Sequence, residues 1–149
     1  MFNGFNLKAR LTGHVGGVNC IAFESRGETM ASGGKTSPTT SQYTLMFCVG
    51  DDESVRIWNL KDQTCSQVLR DHAKRWGPIT ALCWISDGIV IGTGRGQLLV
   101  FQRTTPKVFK ETLSKTMFTA SVEAIAHDAE NNRIAVTSHD GHVRVLECA

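Results

Sequence analysis

The sequence predicts an all-β fold, an incomplete arc of about three four-stranded antiparallel sheets following one another along the chain. Three observations carry this expectation. Short segments alternate apolar and polar residues with period two, the mark of half-buried strands. The segments recur at near-constant spacing. No stretch keeps apolar residues at i, i+3, i+4 and i+7 for more than about two turns, so no amphipathic helix competes.

The elements follow in order. Leu7–Leu11 reads as an outer strand. "VNCIAF" from Val18, "ITALCW" from Ile79 and "VEAIAH" from Val122 read as three equivalent first strands. "SVRIWN" from Ser54, "QLLVFQ" from Gln97 and "HVRVLE" from His142 read as three equivalent third strands, each with two apolar positions before a large apolar residue: Trp58, Phe101 and Leu146. Turn residues precede them at Asp51–Asp52, Gly94–Gly96 and His139–Gly141. Outer strands are expected near Ser66–Leu69 and Lys107–Glu111. Trp58 to Phe101 is 43 positions, Phe101 to Leu146 is 45, and Ile79 to Val122 is 43.

A period of about 40–45 residues with four short strands matches a β-propeller blade. The motifs "LTGH" at Leu11–His14, "MASGG" at Met30–Gly34 and "DDESVRIWN" at Asp51–Asn59 make the chain similar to the WD-repeat family. The resemblance divides the chain into one WD-repeat domain, 1–149. Blade 1 spans about 12–70, blade 2 about 71–112 and blade 3 about 118–149. Residues 5–11 form the outer strand of a neighbouring or closing blade. The third unit lacks an outer strand of its own, so the expected product is a partial propeller. Three explanations stay open: a fragment of a longer propeller, a truncated product, or two arcs that self-associate.

In this family a buried hydrogen-bonded tetrad links the loop before the first strand to the following turn. The resemblance assigns it here to His14, Ser32, Asp52 and Trp58. The second unit keeps only His72, with Ile91, Arg95 and Phe101 at the other places. The third keeps Asp140, with Val136 and Leu146 replacing Ser and Trp. Those two units are expected to depend more on apolar packing. The loops of one end would present Lys74, Arg75, Trp76, Arg95 and His139 as a binding face for a protein or peptide. Trp76 is either an exposed anchor there, as Trp and Arg often are, or tucked beneath its loop.

One spacing breaks the pattern. Val18 to Ile79 is 61 positions, and removing residues 35–50 restores the repeat. "KTSPTTSQ" reads as loop and "YTLMFCV" as β-prone. Two segments, 29–33 and 45–49, therefore compete to be the second strand of blade 1. The segment can be a surface insertion or a retained intron, since "GGK" and "FCVG" can be encoded with splice-signal-like strings.

Composition narrows the function. Sixteen basic and 14 acidic residues give a net charge of +2. No Lys/Arg block points to nucleic acid or an anionic membrane. The start of the chain has no apolar signal-like region, and no run approaches the roughly 18 apolar residues of a membrane span. Five scattered cysteines without a CxxC pair suggest reduced thiols and a cytoplasmic or nuclear protein. "GGKTS" is not a phosphate loop, because Thr29 stands where GxxxxGK[ST] needs its first glycine and Pro38 follows. "GTGRG" at Gly92–Gly96 leads into a strand, not a helix. His139 and His142 flank a hairpin turn and lack a Cys partner at zinc spacing. The expectation is a non-catalytic interaction scaffold with no cofactor and no metal. A nucleotide- or metal-dependent hydrolase is the disfavoured alternative.

Overall fold

The computed structural model describes residues 10–13, 18–23, 45–50, 53–59, 63–71, 73–86, 88–105 and 108–148, with backbone alone in 18–23 and 45–50. Three antiparallel sheets follow one another. The first holds β1 (Val18–Phe23), β2 (Leu45–Gly50), β3 (Ser54–Asn59) and β4 (Thr64–Arg70) in chain order. The second holds β5 (Ile79–Ile85), β6 (Gly88–Thr93), β7 (Gln97–Thr105) and β8 (Val108–Thr116). The third holds β9 (Val122–Asp128), β10 (Arg133–Ser138) and β11 (Val143–Glu147). The outer strands expected near Ser66–Leu69 and Lys107–Glu111 are present and longer than the alternation alone implied, whereas residues 7–9 of the one expected at Leu7–Leu11 lie outside the described residues.

Registers make the three sheets copies of one another. Cys48 faces Arg56, Ile91 faces Leu99 and Val136 faces Arg144. Irregularities recur at matching places: between Ile57 and Trp58 and between Val100 and Phe101 on the third strands, and at Val18–Cys20 and Ile79–Ala81 on the first. A bulge at a fixed position twists each sheet alike, which lets successive sheets stack.

The two competing segments are resolved in favour of the nearer one. Leu45–Gly50 pairs with both β1 and β3. A short turn into β3 closes a smaller loop, and the segment is richer in β-prone residues. The other candidate, 29–33, and with it Ser32, lies outside the described residues. So do His14, Asp52 and His72.

The middle sheet is packed on both sides. Ile79, Trp84, Ile89, Ile91, Leu99, Phe101 and Phe109 meet Val55, Ile57 and Leu69 of the first sheet. Ala81, Val90 and Leu98 meet Val122, Ile134 and Val136 of the third. Every residue of β6 is buried, the pattern of a strand covered on both faces. Burying each large aliphatic or aromatic side chain contributes about 1.5–3 kcal/mol.

Polar ties cross the same seams. The side-chain amide of Gln67 on β4 donates from Nε2 to the Phe109 carbonyl at 3.0 Å and accepts the Phe109 N–H at 2.8 Å. It acts as a one-residue strand partner for β8. Thr80 donates its hydroxyl to the Val122 carbonyl, tying the second sheet to the third.

Two substitutions test this stacking. A Cβ at Gly92 would sit 2.3 Å from Val122 Cγ1 and 2.8 Å from its Cβ, so Gly92→Ala must push the third sheet away. A loss of about 1–3 kcal/mol is expected for such overpacking, read as a lower urea midpoint. Glu53 has φ 54°, at the place where Gly96 (74°) and Gly141 (81°) stand in the other turns. Glu53→Gly removes a left-handed strain of about 1 kcal/mol, partly offset by backbone entropy, so a small rise in Tm is expected.

Candidate interaction face

The loop 73–78 before β5 is built around Asp71. Its carboxylate accepts the N–H groups of Ala73 at 3.1 Å, Trp76 at 3.2 Å, and Arg75. The Arg75 guanidinium adds a contact at 3.3 Å, and the Lys74 N–H returns to the Asp71 carbonyl. Burial acts to raise the Asp71 pKa, but the Arg75 and Ala73 amides and the Arg75 charge together hold it below its usual value. An Asp whose side chain caps its own following turn is a recognised turn builder. "RDHAKRWGP" therefore carried the signal for Asp71, which the family pattern, with Gly in that place, obscured.

The carboxylate turns Trp76 inward. Its ring is 4% exposed and meets Phe101 edge-on, with centroids 5.5 Å apart at 85°. Trp76 is thus a correction to the expected face: it packs in the seam and presents no anchor. Lys74 and Arg75 stay exposed.

Arg95 lies in the β6–β7 turn and reaches the same loop. Its Nη1 donates to the Lys74 carbonyl at 3.2 Å and the Arg75 carbonyl at 3.1 Å. Gly94 N–H adds a bond to the Pro78 carbonyl at 2.7 Å. The family's carboxylate–imidazole link is replaced by a guanidinium–carbonyl link joining the same two segments. This unit, expected to depend more on apolar packing, has this polar tie beside it. The third sheet repeats the backbone part, since His139 N–H donates to the Ser121 carbonyl at 2.8 Å.

The third turn is organised locally. Asp140 accepts the Ser138 hydroxyl and, at 3.1 Å, the His142 N–H. Its carboxylate also faces His142 Nδ1 at 3.1 Å. In the second sheet Thr93 Oγ1 accepts the N–H of Gln97, the residue matching His142, at 3.2 Å. One turn amide is thus capped by a hydroxyl in one unit and a carboxylate in the next. Ser138 was missed by sequence reasoning because the family motif drew notice to position 136. His139 is exposed and lies 3.6 Å from Glu123.

The fate of the tetrad follows from pairing rules. Ile91 with Phe101, and Val136 with Leu146, replace both hydroxyl and indole. Removing both partners leaves no orphan and can be nearly neutral. In the first sheet Trp58 remains, 5% exposed, with Nε1 lacking a hydrogen-bond partner among the described residues. Register puts Cys48 where a hydroxyl would be needed. Among the described residues no group of three or more His, Cys, Asp or Glu is placed to hold a metal.

The Ser138 hydroxyl and the His142 amide hold Asp140 down to about 2; Arg133 and Asn131 do the same for Asp128. Both carboxylates bind protons less readily folded than unfolded, so their stabilisation is complete above the usual 3.8 and disappears as pH falls towards 2. Thermal melts from pH 5 to 2 should show Tm falling in that window. Asp140→Asn should flatten the decline, and an unchanged slope would show that this carboxylate is not held as described.

The family model for the WD domain, G-beta repeat, matches residues 5–59 and 110–146, more than half of the chain. The second match opens within β8 and ends in β11, spanning an outer strand and the next three strands. No curated protein matches the chain. Among solved structures the chain is similar to the computationally designed Ika8 protein, with 20% identity and a TM-score of 0.57 over 70% of this chain and 30% of that one. That likeness concerns the fold alone, and the chain spans about a third of that protein's length. With three sheets in repeating register and the repeat model matching most of its length, the chain belongs to the WD-repeat family.

Proposed function

We propose that the chain is a non-catalytic protein-interaction scaffold that binds a protein or peptide on its loop-rich end. The carrying observation is the fixed loop 73–78, which holds Lys74 and Arg75 outward beside Arg95 while Asp71 and Trp76 anchor it from below. A rigid cationic rim limits the ordering entropy lost on binding, and Arg is common among hot spots. His139 of the third sheet extends the face.

The arc is read as part of a larger propeller, a fragment or truncated product. Val143 and Val145 are 68% and 61% exposed on the outer side of the third sheet, and a β-branched apolar pair belongs under a further sheet. Two arcs closing on each other would cover the same side chains and form the second reading. Cys65, Cys83 and Cys148 are free thiols. Burial, with Cys148 nearby, pushes the Cys83 thiol up, and burial raises Cys148 as well. Free thiols, two of them raised by burial, support a reducing, cytoplasmic or nuclear setting.

Affinity capture from native cells tests the face, comparing the chain with a Lys74→Glu, His139→Glu variant; neither side chain anchors the loop. Partners captured by the parent should be lost from the variant, and equal recovery would remove the face from consideration. Light scattering should show association beyond a monomer; a stable, cooperatively unfolding monomer would contradict the arc reading.

A further inference from the structure

A second site lies away from the loops. Among the described residues β11 is an edge strand, bonded only to β10. The His142 carbonyl accepts from Ser138 and the Cys148 N–H donates to Asn132. Even-numbered residues of β11 therefore spend their backbone groups on β10. By the alternation of antiparallel strands, Val143, Val145 and Glu147 direct theirs outward. Beside this edge is a cavity of about 420 Å³, lined by Ile85, Val100, Leu113, Met117, Leu146 and Cys148 among others. That volume falls within the range of ligand sites, roughly 300–1,000 Å³. Leu113 on β8 forms its outer wall and is 50% exposed.

The molecule itself shows what fills such a slot. Between the first and second sheets the equivalent space is taken by β8, whose Phe109 is 2% exposed. That ring meets Trp84 edge-on at 5.9 Å, lies 5.3 Å from the Arg103 guanidinium, and its backbone is held by Gln67. One sheet further on, the registers place His127, Cys148 and Leu113 at the positions of Trp84, Arg103 and Gln67. The buried Nε2 of His127 has no hydrogen-bond partner among the described residues. Among the described residues, the third sheet thus has the walls of the slot and no strand in it.

We propose that the β11 edge and this cavity bind an extended segment of another protein by strand addition. The segment runs antiparallel to β11 and inserts a large apolar side chain, aromatic for preference, where Phe109 would stand. Main-chain bonds along the edge give affinity, and the cavity selects the side chain. This site is separate from the loop-rich face and stands or falls without it.

The test uses the full chain and a fluorescein-labelled peptide copying β8, VFKETLSKT, with a second peptide carrying F109S. Fluorescence anisotropy should show binding of the first peptide and at least tenfold weaker binding of the second. Val145→Pro removes an outward N–H and no bond to β10, as Pro on an edge allows. Leu113→Glu changes an exposed wall residue. Each should weaken the peptide at least tenfold with an unchanged melting curve. If Val145→Pro alters the melt, Leu113→Glu still decides. Equal binding of both peptides, or none, overturns the proposal. Protection of the Val143, Val145 and Glu147 amides from exchange in the chain alone also overturns it, because the edge is then occupied by a second copy or by the chain itself.

Discussion

Burial of both faces of the middle sheet is the constraint on which the rest depends. A sheet covered on both sides has no water-facing side on which to place polar residues. Ile89, Val90 and Ile91 follow one another in β6 for this reason. The same constraint explains why this unit has lost the family's buried polar chain. A hydroxyl at position 91 and an indole at 101 would each need the other; an isoleucine and a phenylalanine need nothing but contact. Gly92 follows as well, since the third sheet approaches so closely that a methyl group would overlap Val122.

Apolar stacking alone fixes distance but not alignment. Alignment comes from a few directional bonds at each seam. Gln67 locks the outer strands of the first two sheets, and Thr80 locks the inner strands of the second and third. At the loop-rich end the turns of the second and third sheets are each bonded to the residue before their own first strand. The Asp71 carboxylate then shapes what that end displays. A single acidic residue accounts for the inward Trp76 and the outward Lys74 and Arg75.

Much of the fold was legible because its signals are periodic. Strand alternation and a spacing of 43–45 residues located the first and third strands of all three units. The second strand of the first unit was not legible, because two segments satisfied the local rules and only the energetics of loop closure separate them. The site was read less well. Family resemblance placed attention on His14, Ser32, Asp52 and His72, which lie outside the described residues. Of the side chains that build the face, Asp71 and Arg95 act through bonds to loop backbone, and Ser138 through the Asp140 carboxylate. Such bonds leave no periodic trace, and Arg95 looked like a lost carboxylate instead of a substitute tie. Trp76 could not be placed from sequence because an aromatic in a cationic loop serves equally as an anchor outside or a plug inside.

The Arg95 tie has a consequence for where the protein can operate. An imidazole link changes charge near its ordinary pKa of about 6.5, so a loop held by histidine is sensitive to modest acidification. A guanidinium keeps its charge at every pH a cell encounters. The carbonyls of Lys74 and Arg75 are permanent acceptors. The tie between Arg95 and this loop therefore holds alike in neutral and mildly acidic surroundings.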